Sequence, residues 1–192
     1  MKKTGILLVA FLIIFPAAWL NAAQQEFKFN KISFNTSQVS DERTTVSGLS
    51  QGSLKRLGVV NTWGVVEAVY GSKPDWADDV TLKYFVLIKG RSSGEPVMLT
   101  GSITYINVEK GPNHVSSIFI TPQTIRRYGE IVKIRAELWY NGILQDAMEW
   151  PKKKSKTQWW TRVAPIPGSL FNRYYTPFEY EAQARGEVIK IN

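Results

Sequence analysis

The densest run of chemistry-bearing residues is Trp150-Pro151-Lys152-Lys153-Lys154-Ser155-Lys156-Thr157-Gln158-Trp159-Trp160-Thr161-Arg162. Lys152, Lys153, Lys154, Lys156 and Arg162 give five positive charges, and no carboxylate stands among residues 152–162. Such a loop attracts acidic surfaces over a Debye length, about 10 Å at 0.1 M salt. Trp159 and Trp160 add aromatic faces of the kind that stack on sugars or bases or lie at a headgroup interface. These seven residues form the candidate binding set. The simpler reading is a solvated hairpin loop whose lysines aid solubility, with one tryptophan buried. Successive residues of a strand point to opposite faces, so an extended Trp159-Trp160 cannot place both rings in one core. One of them is then exposed or covered by the C-terminal extension.

Other patterns with catalytic or metal-binding potential are weaker. Gly48-Leu49-Ser50-Gln51-Gly52 fits Gly-x-Ser-x-Gly, but a nucleophile elbow needs a strand before it and a helix after it. The polar Ser/Thr/Gly surroundings read as a loop instead. The only histidine, His114, lies in Gly111-Pro112-Asn113-His114, which reads as a turn before a strand, so an exposed or capping role is expected ahead of that of a triad base. Asp75, Asp78 and Asp79 offer carboxylate oxygens to a hard cation such as calcium, but they lack the alternating ligands and central glycine of an EF-hand loop. A turn that starts a strand is the expectation there. With no cysteine and one histidine, disulfide frameworks, thiol catalysis, Cys-rich zinc modules and multi-histidine metal sites are excluded. No acid, base and nucleophile constellation emerges, so neither an enzyme nor a cofactor is expected.

The elements that must position these residues are β-rich. Phe27 and Phe29 fall on one face and Ile32 and Phe34 on the other, so a bulge near Asn30 is needed to restore the register. After a polar stretch from Thr36 to Lys55, Leu57 to Tyr70 reads as a long strand with a break at Gly64, followed by a turn at Gly71-Ser72-Lys73-Pro74. Leu82 to Ile88 is apolar on both faces, the pattern of a central strand. Further strands are expected over 95–108 and 115–121. Pro122 to Tyr128 then forms one helical turn, with Thr121 as cap and Pro122 at the first position. From 131 to 140, Val132, Ile134, Ala136, Leu138 and Tyr140 share a buried face, and Lys133, Arg135 and Glu137 a wet one. Asn141-Gly142 is a type I′ hairpin signal, with Ile143 to Trp150 as the return strand. Tyr128, just before the strand that begins at Ile131, sits where a tyrosine corner would lie, or else covers the helical turn.

Seven strands with short connections predict an all-β fold, an immunoglobulin-like antiparallel β-sandwich, with a barrel as runner-up. Residues 57–150 form its core, 24–56 an N-terminal strand and polar linker, and 151–192 a basic and aromatic loop with a C-terminal extension. That extension is interrupted by Pro165, Pro167 and Pro177, so it cannot be a regular helix as far as Pro177 and is expected to wrap the sandwich. A short helix over Glu179 to Arg185 and a terminal strand through Val188, Ile189 and Ile191 follow. A second use of the extension is as a donor strand for a neighbouring subunit.

Residues 1–23 read as a secretory signal peptide: Met1-Lys2-Lys3, an apolar stretch from Ile6 to Phe15, Pro16, and small residues Asn21-Ala22-Ala23. The absence of cysteine excludes a lipoprotein, and the uncharged apolar stretch departs from a prepilin leader. The chain of 192 residues carries a net charge of +8, and it stays positive after the leader's two lysines are lost, which favours acidic partners. Secretion without cysteine suits a bacterial periplasm, outer membrane or cell surface.

Trp63 to Tyr70, Pro74 to Asp79, Leu82 to Lys89, Gly111 to His114 and Thr121 to Tyr128 together resemble immunoglobulin-like envelope proteins associated with type IV pilus gene clusters of Verrucomicrobia-type mucin-degrading bacteria. The resemblance covers about residues 57–150 and carries no catalytic motif or site residue. It implies an exported β-sandwich with an assembly or adhesion role and with envelope or pilus-assembly proteins as partners. An anionic glycan or a membrane surface is a further expected partner, and no specific nucleic acid is. The competing function is a carbohydrate-binding module for anionic or mucin-type glycans, suggested by 7 Trp and 8 Tyr.

Overall fold

The computed structural model describes residues 25–40, 60–91, 94–152, 157–179 and 188–190. The expected leader, the Gly48 to Gly52 motif, Lys153, Lys154 and Lys156, and nearly all of the helix expected from Glu179 lie outside the described residues.

Seven long strands carry the fold: β1 (Phe27–Ser40), β2 (Val60–Ala77), β3 (Val80–Gly90), β4 (Pro96–Tyr105), β5 (Val108–Ile120), β6 (Gly129–Tyr140) and β7 (Ile143–Trp150). Helix α1 (Pro122–Tyr128) joins β5 to β6, and two short strands, β8 (Pro165–Pro167) and β9 (Phe171–Asn172), follow. One sheet has the order β1-β2-β5-β9 and the other β7-β6-β3-β4-β8. The protein is therefore an all-β sandwich, antiparallel except for the three-residue parallel pairing of β8 with β4.

Alternation of side chains builds the core. Phe27, Phe29, Ile32, Val66, Ala68 and Ile118 of one sheet meet Leu82, Val86, Leu99, Ile134 and Leu138 of the other in one buried cluster. Each fully buried aliphatic or aromatic side chain of this kind stabilises the fold by about 1.5–3 kcal/mol. The register of β1 on β2 shifts between Phe29 and Lys31. Asn30 is thus the bulge the sequence requires, and it lets Phe29 and Ile32 both point inward. β3 is central in its sheet, between β6 and β4. Thr121 caps α1 by accepting the Thr124 amide at 3.1 Å, with Pro122 in the first turn. Asn141 and Gly142 have φ of 48° and 76°, the left-handed pair that a tight hairpin between β6 and β7 needs.

Several expectations are corrected. Gly71-Ser72-Lys73-Pro74 is no turn, because β2 runs through it and absorbs the distortion as register shifts between Tyr70 and Trp76 against β5. The chain reverses instead at Asp78-Asp79, where Asp79 takes φ 56°. Gly64 does not break β2 either, since it pairs with Ile120. Gly111 to His114 lies inside β5, and the reversal falls at Ile106-Asn107, with Asn107 at φ 55°. Glycine and proline signal a turn in a flat strand, but here they sit where long strands bend. Val132 is 42% exposed, because β6 shifts register there, with Leu87 opposite Lys133 and Ile88 opposite Ile131. Tyr128 is half-buried against the core with the Arg127 guanidinium over its ring at 5.1 Å. Its hydroxyl makes no hydrogen bond among the described residues, so it covers the helical turn.

The C-terminal extension seals the sandwich on its own chain. β8 pairs with β4, the edge of one sheet, and β9 pairs with β5, the edge of the other. Between them Leu170 enters the core cluster. It lies so close to Gly101 that a Cβ there would stand 2.7 Å from Leu170 Cβ.

Candidate functional site

Trp159 and Trp160 of the candidate set lie against the outer face of the second sheet, and that face, expected to be wet along β6, is not. β6 alternation sends Arg135, Glu137 and Trp139 outward, and the register sets Arg135 opposite Glu149 and Glu137 opposite Lys83. Arg135 Nε donates to Glu137 Oε1 at 2.9 Å and Nη1 to Glu149 Oε1 at 3.2 Å. Trp139 Nε1 donates to Glu137 Oε2 at 3.2 Å. Glu137 is 8% exposed, and the two charge-assisted bonds from Arg135 run through a partly dehydrated setting where such pairs are stronger than at an open surface. Lys83 Nζ stands 4.2 Å from the centroid of the Trp139 ring.

What covers this face is the segment after β7. Trp159 to Thr161 form a 3-10 turn instead of a strand, so the two adjacent rings need not point to opposite faces. Trp159 is 5% exposed, and its Nε1 donates to Glu149 Oε2 at 3.4 Å. Trp160, half-buried, meets Trp159 edge to face at 5.8 Å and carries the Arg135 guanidinium 3.7 Å over its ring. A cation–π contact of this sort contributes roughly 0.5–2 kcal/mol. Both rings therefore fasten the loop to β6 and β7, and Trp159 has no face to offer a ligand. Lys152 and Arg162 are exposed.

These anchors set how the loop is presented. Trp150 ends β7 opposite Ile134, and the indole of Trp159 reaches back to Glu149, so the two ends of the loop are fixed at neighbouring residues. β7 runs antiparallel to β6 and heads toward the end of the sandwich where α1 leads into β6. At that end stand Lys89, Arg91, Arg126 and Arg127, all exposed and none in an ion pair with a described residue. Lys89 and Arg91 flank a groove of about 550 Å³ floored by Phe34, Ile125 and Ile131, with Glu130 on its rim. That these cations stand at the same end as Lys152 is not visible in the linear sequence, because α1 and the β3–β4 hairpin meet only in the fold.

The remaining candidates are separated. Asp75 faces Lys110 at 3.6 Å, Asp78 Oδ1 accepts the Asn107 amide at 2.8 Å, and Asp79 Oδ1 accepts Lys190 Nζ at 2.7 Å. Each carboxylate thus serves a different local contact, and no cluster of metal-ligating side chains occurs among the described residues. His114 is no loop residue but part of β5, half-buried, with its ring 5.3 Å from that of Tyr70. In the core beside it, Ser116 Oγ joins the sheets by accepting from Tyr84 at 2.7 Å and Tyr105 at 2.9 Å.

A protein-family model matches residues 61–190. No curated protein matches the chain. Among solved structures, a crystal structure from Akkermansia muciniphila superposes with a TM-score of 0.67 at 20% sequence identity, over 87% of this chain and 94% of that one. At that identity the likeness is one of fold.

Proposed function

The chain belongs to the family whose model spans residues 61–190, and from that premise we propose an exported, non-enzymatic envelope protein that works by interaction, with its basic end as the contact surface for an acidic partner. The observation that carries this reading is the gathering of cations. Lys89, Arg91, Arg126 and Arg127, none in an ion pair with a described residue, lie at the end toward which β7 delivers Lys152, and Lys153, Lys154 and Lys156 follow it in the sequence. Charge held this way costs stability through self-repulsion and is compensated when an opposite charge arrives. The order β1-β2-β5 against β7-β6-β3-β4 supports an immunoglobulin-like arrangement, in which loops at the sandwich ends serve as contact surfaces. The partner class in this reading is an acidic face of an envelope or pilus-assembly protein.

The test is capture from envelope extracts with the full chain, at salt concentrations that shorten the Debye length from about 10 Å to about 3 Å. Binding is expected to fall with salt. Changing Lys152, Lys153, Lys154 and Lys156 together to Gln is expected to lower affinity about tenfold or more and to flatten that salt dependence at unchanged thermal stability. Equal capture by the variant and the parent at low salt would refute the reading.

A further inference from the structure

The opposite end of the sandwich holds a different surface. A cavity of about 740 Å³ opens there between Tyr70 and His114 on one side and Tyr105, Ile106 and Val188 on the other. Asn107, Glu109 and Asn113 line it as well, and all three are exposed. Trp76, 63% exposed, stands directly opposite Glu109 in the β2–β5 register. The His114 ring forms part of the wall, with its Nε2 buried toward Gly111 and in no hydrogen bond with a described residue.

We infer that this cavity is a binding site for a single neutral sugar unit. Two side-chain amides and a carboxylate supply donors and acceptors together, the combination that vicinal hydroxyls, each donor and acceptor at once, can satisfy in pairs. Ile106, Val108 and Val188 give apolar patches for the C–H faces of a pyranose, and the exposed Trp76 ring gives a stacking platform beside them. Anions are disfavoured, because the Glu109 carboxylate lines the cavity and Asp78 adds a second beside Asn107, while Lys110 and Lys190 offset only Asp75 and Asp79. A peptide strand is disfavoured too: the β4 edge at this point is already taken, with Lys190 N donating to Thr104 O at 2.9 Å and Ile106 N to Val188 O at 3.1 Å. The inference goes beyond the acidic-partner reading and does not rest on it, since the two surfaces lie at opposite ends.

The test is titration of the isotopically labelled full chain with the methyl glycosides of a neutral hexose, an N-acetylhexosamine and a hexuronic acid, read by amide and indole shifts. At least one neutral probe is expected to give saturable shifts at the Trp76 indole and around His114, with a Kd on the order of 1 mM. The hexuronic acid should bind more weakly. Trp76→Ala and Asn113→Ala, both at exposed positions, are each expected to weaken binding about tenfold, the size of losing a stacked ring or a paired hydrogen bond, while the melting temperature is kept. The variant with the four loop lysines changed to Gln should bind the sugar as the parent does. No saturable shift with any neutral probe, tighter binding of the uronic acid, or binding unchanged in the Trp76→Ala, Asn113→Ala double variant would each overturn the inference. Loss of sugar binding in the lysine variant would overturn it as well, by placing the site at the basic end.

Discussion

Trp159 and Trp160 are neighbours with unequal parts. Trp159 is buried against Glu149, whereas Trp160 lies half-covered under the Arg135 guanidinium. Trp159→Ala should therefore cost about 3–5 kcal/mol, the range for emptying a buried large aromatic site. Trp160→Ala should cost about 0.5–2 kcal/mol, the scale of its cation–π contact. Chemical denaturation of the two variants checks the order, and equal midpoints would show that the loop is not fastened through Trp159. Binding measured on Trp159→Ala would report a loosened base and not a lost stacking face. The sequence marks both rings as conspicuous, but it does not tell which is buried. That depends on a one-turn 3-10 geometry with no periodic signature, and on Arg135 and Glu149 being brought side by side by the β6–β7 register.

Among elements, the β6–β7 hairpin and α1 follow from local chemistry alone, and the glycines that bound β6 separate two kinds of constraint. Gly142 has φ 76° with nothing within 4 Å of a built Cβ, whereas Gly129 has φ 119° and a Cβ there would lie 2.4 Å from Lys89 O. Gly142→Ala is thus a matter of conformational strain, about 1 kcal/mol. Gly129→Ala adds a backbone collision that only separation of β3 from β6 can relieve, and it should cost more than about 2 kcal/mol. Gly142→Val, with a branched Cβ at positive φ, should fall between them. Urea midpoints in that order are the expected result, and a Gly129→Ala midpoint equal to that of Gly142→Ala would contradict it. Strands β1 to β7 are legible in outline, from alternation in β1 and β6 and the continuous apolar run of β3, but the end of β2 and the start of β5 are not, because Gly71 to Pro74 and Gly111 to His114 carry turn chemistry inside long strands. β8 and β9 were not, since three- and two-residue pairings among prolines show no period. The dry outer face of β6 was equally hidden, for Arg135 and Glu137 look solvated until residues 157–162 are laid over them.

On the scale of the whole molecule, the segment after Trp150 behaves as a strap that touches both outer faces. Trp159 and Trp160 sit on one. On the other, Arg173, 2% exposed, donates through Nη2 to Ser117 Oγ at 2.8 Å, and Phe178 stacks on Phe119 at 5.1 Å. Deleting residues 151–192 would uncover the β4 and β5 edges together with Phe119, Met98 and the space filled by Leu170. Unpaired edges of that length are templates for strand addition. The shortened chain is expected to elute as aggregate or higher oligomer in size-exclusion chromatography with light scattering, and a monomer of parental melting temperature would refute the strap's role. The strap also sets a clock. A polypeptide that emerges from its N-terminus, at synthesis or on export, presents seven strands and two open edges before the segment that closes them has followed. For that interval the nascent sandwich is open to any chaperone or foreign strand that fits its edges, and it closes only when its own tail is delivered.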